Sequence, residues 1–181
     1  TFSVKVRQGS RLSQLRLRRG QLSLDDAALT LLQQAHKIVQ FDDQTQISIQ
    51  DGIGLSVNLT PQTDTELIGW RARKHAGLID VDLVGGQPAA RFWEAVTLCD
   101  LTKEGLVLNP DEFYILASRE FVTVPPDYAA EMRAYDTRVG EFRAHYAGFF
   151  DPGFGSDATG ALPTRAVLEV RSHDVPFLIE Q

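Results

Sequence analysis

Three charged side chains stand in settings suited to chemistry. Asp151 follows Phe149 and Phe150 and comes immediately before Pro152 and Gly153, in "HYAGFFDPGFG". A Pro-Gly turn is stiff, so it fixes the carboxylate in place. Glu169 lies in "RAVLEV". Strand alternation there puts Val167 and Glu169 on one face and Ala166, Leu168 and Val170 on the other. Arg138 lies in "YDTRVGEF". A positioned carboxylate can hold a hydroxyl or exchange a proton, and a guanidinium can grip a phosphate. Each residue taken alone also reads as a surface charge. Asp151 is the strongest of the three because the turn holds it.

Other chemistries find no support. The single cysteine, Cys99, cannot form a disulfide within the chain, and its setting "AVTLCDL" suggests a small buried side chain. The four histidines, at 36, 75, 145 and 173, form no HExxH and no close pair. Neither H-x-E nor P-C-x-x-C, the motifs of zinc deaminases, is present, so no zinc is expected. No GxxxxGK[ST] loop occurs. The Gly-, Ser- and Thr-rich "GFGSDATGALPT" reads as a flexible connection, and loops of this composition can also lie over phosphates.

Of the 181 residues, 43% are hydrophobic and 23% charged, the balance of a globular protein. No run approaches the roughly 18 apolar residues needed to cross a membrane, and the start lacks the apolar core of a signal peptide. A cytoplasmic protein is the expectation. The net charge of -6 is unevenly spread. Residues 1–20 hold six basic side chains (Lys5, Arg7, Arg11, Arg16, Arg18, Arg19) and no acid, against 12 basic and 24 acidic in the rest. A nucleic-acid-binding arm is one reading of that segment. Its alternation with apolar residues and the acidic body argue against it.

The elements must position these groups. "TFSVKVRQGSRLSQLRLRRG" reads as two strands around Gln8-Gly9-Ser10, and a lone hairpin needs a sheet made elsewhere. "SLDDAALTLLQQAHKIVQ" reads as a helix with Ser23 as N-cap and an apolar stripe of Leu24, Ala27, Ala28, Leu31, Leu32 and Ala35. His36 sits at its C-terminal end as a dipole partner. From about residue 45 strands dominate. "QISIQDGIGLSVNLT" alternates around Asp51-Gly52, "LIGWRARKHAGLIDVDLVGG" reads as a strand pair, and "RFWEAVTLCD" follows. "LVLNPDEFYILASREFVTVP" gives two strands around Asn109-Pro110-Asp111, and "PPDYAAEMRAYD" one short proline-led helical turn. Many short strands spaced by Gly, Pro and Asp turns predict a mainly β barrel or jelly roll with one or two short helices.

"HYAGFFDPGFG" followed by "RAVLEVRSHDVPFLIE" resembles the dCTP deaminases of the dUTPase-like superfamily. The resemblance covers about residues 70–181, and "HAGLIDVDLVG" looks like an early strand of that family. Residues 1–20 resemble the strand and turn that follow the catalytic strand in a family member. The resemblance therefore implies tail strands of a preceding domain at 1–20, a helical connector at 21–44 and a dUTPase-like β domain at 45–181. That arrangement is the C-terminal half of a long two-domain form.

The resemblance also implies roles. Glu169 matches the catalytic glutamate, which helps water attack C4 of the cytosine ring and shuttles protons until ammonia leaves. Val167 and Leu168 would offer backbone groups to the base edge. Asp151 matches the residue contacting the deoxyribose, and Arg138 an arginine at the nucleotide. No protein-bound metal is implied, and Mg2+ would accompany the triphosphate of the substrate, deoxycytidine triphosphate. A homotrimer with sites between subunits is implied, with conversion of dCTP to dUTP and ammonia. The family usually carries a Ser-Ser pair where an ungapped count places Ala134-Tyr135. The Asp151-to-Glu169 separation is longer than usual. Two alternatives thus stand beside deamination: a non-catalytic structural or regulatory half, and diphosphate hydrolysis of dUTP or dCTP.

Overall fold

The computed structural model describes residues 3–5, 23–41, 47–61, 66–133, 142–144, 148–156, 164–172 and 174–180. The elements are β1 (Ser3–Lys5), α1 (Asp26–His36), β2 (Val39–Gln40), β3 (Leu67–Ala72), β4 (Leu78–Asp80), β5 (Trp93–Thr97), β6 (Gly105–Leu108), β7 (Phe113–Val122), β8 (Ala130–Glu131), β9 (Phe142–Ala144), β10 (Phe149–Phe150), β11 (Thr164–Ser172) and β12 (Phe177–Glu180). The mainly β architecture is as expected. The largest sheet runs β5-β3-β7-β11-β9, with β2 also on β7.

β7 alternates because its sequence does. Tyr114, Leu116, Ser118, Glu120 and Val122 are buried, while the residues between them face the other way. One edge of β7 carries β11 in antiparallel register. The other edge is covered in three pieces: β3 at Tyr114–Ile115, then Ser56 and Asn58 bonding to Arg119 and Ala117 at 2.8 Å each, then β2 at Phe121–Val122. Gly69 on β3 allows the close approach, since a Cβ there would stand 2.5 Å from the Ile115 carbonyl oxygen. The buried face of β11 (Ala166, Leu168, Val170) meets that of β7 in one core, joined by Leu106, Leu108, Ile68 and Val96. Burying a leucine such as Leu116 contributes about 1.5–3 kcal/mol.

The β7–β11 ladder carries a bulge. Arg165 pairs with Phe121 and Val167 with Ala117, so Ser118, Arg119 and Glu120 oppose Ala166 alone. The bulge removes the ladder partner of the Ala166 N–H, which donates instead to Ser118 Oγ at 2.8 Å. Ser118 Oγ donates in turn to the Glu120 carbonyl at 2.6 Å. The Arg165 guanidinium donates to the carbonyls of Ser118 and Arg119 and lies 4.3 Å over the Phe121 ring. Burial pulls the Arg165 pKa down, and the Glu120 charge counters part of that.

The structure corrects several expectations. The N-cap of α1 is Asp25, not Ser23: its carboxylate accepts the Ala28 N–H at 2.8 Å. Asp26 reaches across to the N–H groups of Asp51 and Gly52. Leu29 and Leu32 pack on the core while Leu24 and Leu31 are exposed, so the core-facing stripe is narrower than predicted. Residues 47–61 form isolated bridges and not long strands. β3 and β4 do not pair with each other; β4 pairs in parallel with β1, and His75 stands in the tight turn between β3 and β4 at φ 58°. β6 pairs with β12 and not with β7, because Asp111 takes a left-handed φ of 57° and the chain changes direction there. The "PPDYAA" segment is a turn closed by Tyr128 N–H to the Pro125 carbonyl, not a helix. It must extend at once into β8, which pairs with β10. Cys99 is exposed, not buried, because it rides a short 3-10 turn, Leu98–Asp100, capped by Thr97 and Asp100. The segment beyond Lys5 up to residue 22 lies outside the described residues.

Replacing Ser118 with Ala leaves the fully buried Ala166 N–H without an acceptor. Such a loss costs about 1–3 kcal/mol. Urea unfolding of Ser118→Ala is expected to show a lower midpoint at unchanged slope. An unchanged midpoint would show that the bulge satisfies itself in another way.

Candidate active site

Glu169 is where alternation put it. On β11 the residues Val167, Glu169 and Arg171 share the outward face, and Ala166, Leu168, Val170 and Ser172 the buried one. Val167 is 60% exposed and Leu168 7%, so the Leu168 side chain belongs to the core. Glu169 stands opposite Ile115 on β7, and Ile115 stands opposite Trp70 on β3. Trp70, Ile115 and Glu169 therefore form one row across three adjacent strands. The next outward row along contains Phe113 opposite Arg171, with Trp93 packed on Phe113 at 6.2 Å between ring centroids. The pairing of β11 with β9 covers Val170, Arg171 and Ser172.

Asp151 is held as its sequence suggested. Its carbonyl accepts the Phe154 N–H at 3.0 Å, and the Gly153 N–H donates to the Val124 carbonyl at 3.0 Å. Phe150 and Phe154 clip the turn from both ends, edge to face at 4.9 Å. Gly155, at φ 69°, lets the turn lie against the backbone, since a Cβ would stand 2.1 Å from the Val122 carbonyl oxygen. Asp151 itself is exposed.

Glu169 is level with Ile115, and the Asp151 turn docks from Val122 onward. At about 3.3 Å per residue these levels are roughly 20 Å apart along β7. Within one chain the described contacts do not bring the two carboxylates together. Arg138, Ala134 and Tyr135 lie outside the described residues. Among the described residues no group of three or more His, Cys, Asp or Glu side chains is placed to hold a metal ion.

The row beside Glu169 hides a charged network on the opposite side of the sheet. Arg71, opposite Tyr114, donates to Glu94 at 2.9 Å and lies 3.7 Å from Glu112. Tyr114 Oη donates to Glu112 at 2.7 Å, Asn109 Nδ2 donates at 3.1 Å, and Lys74 lies 3.6 Å away. Burial alone would raise the Glu112 pKa. The hydrogen bonds from Tyr114 and Asn109 and the charges of Arg71 and Lys74 outweigh it and hold the carboxyl below its ordinary value. For Tyr114, burial and the Glu112 carboxylate push the phenol up. Sequence reading missed this network. Its members lie on three strands and two turns, and only the register brings them together.

A family described as 2'-deoxycytidine 5'-triphosphate deaminase (DCD), C-terminal domain, matches residues 25–181. The chain belongs to this family. A crystal structure of 2'-deoxycytidine 5'-triphosphate deaminase from Agrobacterium tumefaciens superposes at a TM-score of 0.73 and 44% identity, covering 87% of this chain and 46% of that one. "dCTP deaminase, dUMP-forming" from Pseudarthrobacter chlorophenolicus is 36% identical over 87 residues, 46% of each chain. The protein of the same description from Kocuria rhizophila is 39% identical over 70 residues, 38% of this chain and 36% of its own. The chain spans about half or less of the length of the curated relatives it matches.

A carboxyl whose folded pKa lies below its unfolded one stabilises the fold above the unfolded pKa. That contribution is lost as pH falls through the folded pKa. The melting temperature is therefore expected to fall more steeply below about pH 5 in the wild type than in Glu112→Gln, with the curves converging in strong acid. Parallel curves from pH 7 to pH 3 would show that Glu112 gains nothing from its partners.

Proposed function

We propose that this domain takes part in the deamination of deoxycytidine triphosphate, with Glu169 as its proton-transfer group. The observation that carries this reading is the outward Glu169 on the central ladder of a chain that belongs to the dCTP deaminase C-terminal family. In the proposed step the Glu169 carboxylate takes a proton from a water molecule as its oxygen bonds to C4. It then returns the proton to the leaving nitrogen, the C4–N4 bond breaks, and ammonia departs, giving dUTP. Val167 and Leu168 supply backbone groups to the base edge, Asp151 accepts the sugar hydroxyl, and Arg138 meets the nucleotide. Mg2+ arrives with the triphosphate as part of the substrate. The enzyme is a hydrolase of the cytoplasm, and a homotrimer would unite Glu169 of one subunit with groups of its neighbours. Closed symmetry of that kind also covers strand edges that a lone domain leaves bare. Residues 1–20 are then the tail of a preceding domain of the same fold, and this domain the C-terminal half.

Two further readings each have an observation behind them. The relatives' description as dUMP-forming supports a second hydrolysis, in which water attacks the α-phosphate of dUTP and pyrophosphate leaves. Ala134-Tyr135 in place of a Ser-Ser pair supports a half that binds nucleotide, or completes the assembly, without reacting.

Glu169→Gln separates these readings. In the deamination reading it lowers ammonia release from dCTP by at least 100-fold, the range of a lost general base, while dCTP binding by calorimetry persists. Ammonia release at the wild-type rate would assign the chemistry elsewhere and leave this domain a structural or regulatory role. Chromatography of the products then distinguishes dUTP from dUMP.

A further inference from the structure

The bulge in the β7–β11 ladder stands directly beside the residues assigned to the base. It falls between Arg165 and Val167, and Leu168 and Glu169 come next along β11. The edge of β11 that faces away from β7 is covered by β9 only at Val170–Ser172. Among the described residues nothing pairs with that edge at Val167–Glu169, so its outward-pointing backbone groups are open there. One edge of β11 thus carries the bulge and the other carries the open groups. A bulge raises the local twist of its ladder and re-aims the residues beside it.

One cation holds the bulge in shape. The Arg165 guanidinium donates to the Ser118 carbonyl at 2.8 Å and also to the Arg119 carbonyl. These are two of the three β7 residues that oppose Ala166 alone. Its carbon lies 4.3 Å over the Phe121 ring. Arg165 Nε is shut off from solvent with no acceptor. The nearest acid to act on it, Glu120, has its own partner, the Ser56 N–H at 2.8 Å. A partly buried cation without an ion pair is a poor source of stability, because the desolvation it suffers is not offset by a close countercharge. What the guanidinium adds is geometric. A planar donor that caps two successive carbonyls and stacks on a ring permits one shape of the bulge.

We propose that Arg165 is a positioning residue for the deamination: it locks the bulge, and so fixes the twist at which β11 presents the Val167–Leu168 backbone and the Glu169 carboxylate to the base. This inference rests on the deamination reading. Arg165 acts through β11 and touches neither the nucleotide nor the reacting atoms.

The test is made on the whole polypeptide, at a temperature well below the melting point of each variant. Arg165→Ala is expected to lower kcat for ammonia release from dCTP roughly 10- to 100-fold, the range of a misplaced reacting group, with a smaller change in KM. Guanidinium chloride at tens of millimolar, far below the molar range that unfolds proteins, is expected to restore part of that kcat, and sodium chloride at the same concentration is expected not to. Neither salt is expected to restore Glu169→Gln. Should Arg165→Ala not fold, Arg165→Lys is expected to show the fall in kcat, because an ammonium cannot cap two carbonyls and stack on a ring at once. Wild-type kcat in the folded variant would overturn the inference and reduce Arg165 to a stabilising contact. A lost kcat in Arg165→Ala that guanidinium does not restore would overturn it as well. Both outcomes leave the deamination reading in place. Ammonia release that is absent from the wild type, or that survives Glu169→Gln, overturns the deamination reading and this inference together.

Discussion

The pairing of β7 with β11 is the constraint on which the rest depends. β7 is bonded along both edges and buried on one face, so it cannot slide or turn over without exposing the core. A slip of one residue between two strands exchanges every side chain between the faces. Here such a slip would turn Glu169 into the core and Leu168 out to solvent. Transfer of a carboxylate into that core without partners is far more costly than the loss of any single contact in the ladder. The register of one ladder thus fixes both the stability of the domain and the face on which Glu169 stands.

The bulge could have broken that arrangement. It places three residues of β7 against one of β11, a surplus of two. A surplus of two preserves the alternation, so Phe121 and Arg165 on one side and Ala117 and Val167 on the other still point outward. Ser118 repairs the hydrogen bonding that the surplus disturbs, and Arg165 closes over it. The same stretch of β7 receives the Asp151 turn just beyond its end, so the bulge and the turn share a support. What aims Asp151 is therefore the backbone of Val122–Val124 together with the Phe150–Phe154 clip, more than the stiffness of Pro152-Gly153 alone.

Much of this was legible in the sequence, and the boundary has a physical cause. Alternation with period two is a local property, so the outward position of Glu169, the buried positions of Leu168 and Val170, and the β class itself could be read from residue types. The Asp-Pro-Gly-Phe turn was equally local. Pairing is not local. Nothing in "LIGWRARKHAGLIDVDL" states that its first strand joins β5 and β7 while its second joins β1, and nothing near Asn109 states that β6 leaves for β12. The N-cap at Asp25 was missed because Ser23, Asp25 and Asp26 are all competent caps, and the tie from Asp26 to the distant Asp51-Gly52 turn decided among them. Cys99 was misread for the opposite reason. Apolar neighbours suggested burial, but a capped 3-10 turn rotates the side chain outward. The Arg71–Glu112–Tyr114 network needed the full register of three strands before it could be seen.

The central claim is that water reaches C4 of the cytosine ring at the Glu169 face. Running the reaction with dCTP in water enriched in oxygen-18 and reading the isolated product by mass spectrometry tests it directly. The account predicts one heavy oxygen in the uracil ring, with a second in the phosphate products only if dUMP is formed. Heavy oxygen confined to phosphate, with the cytosine intact, would contradict it.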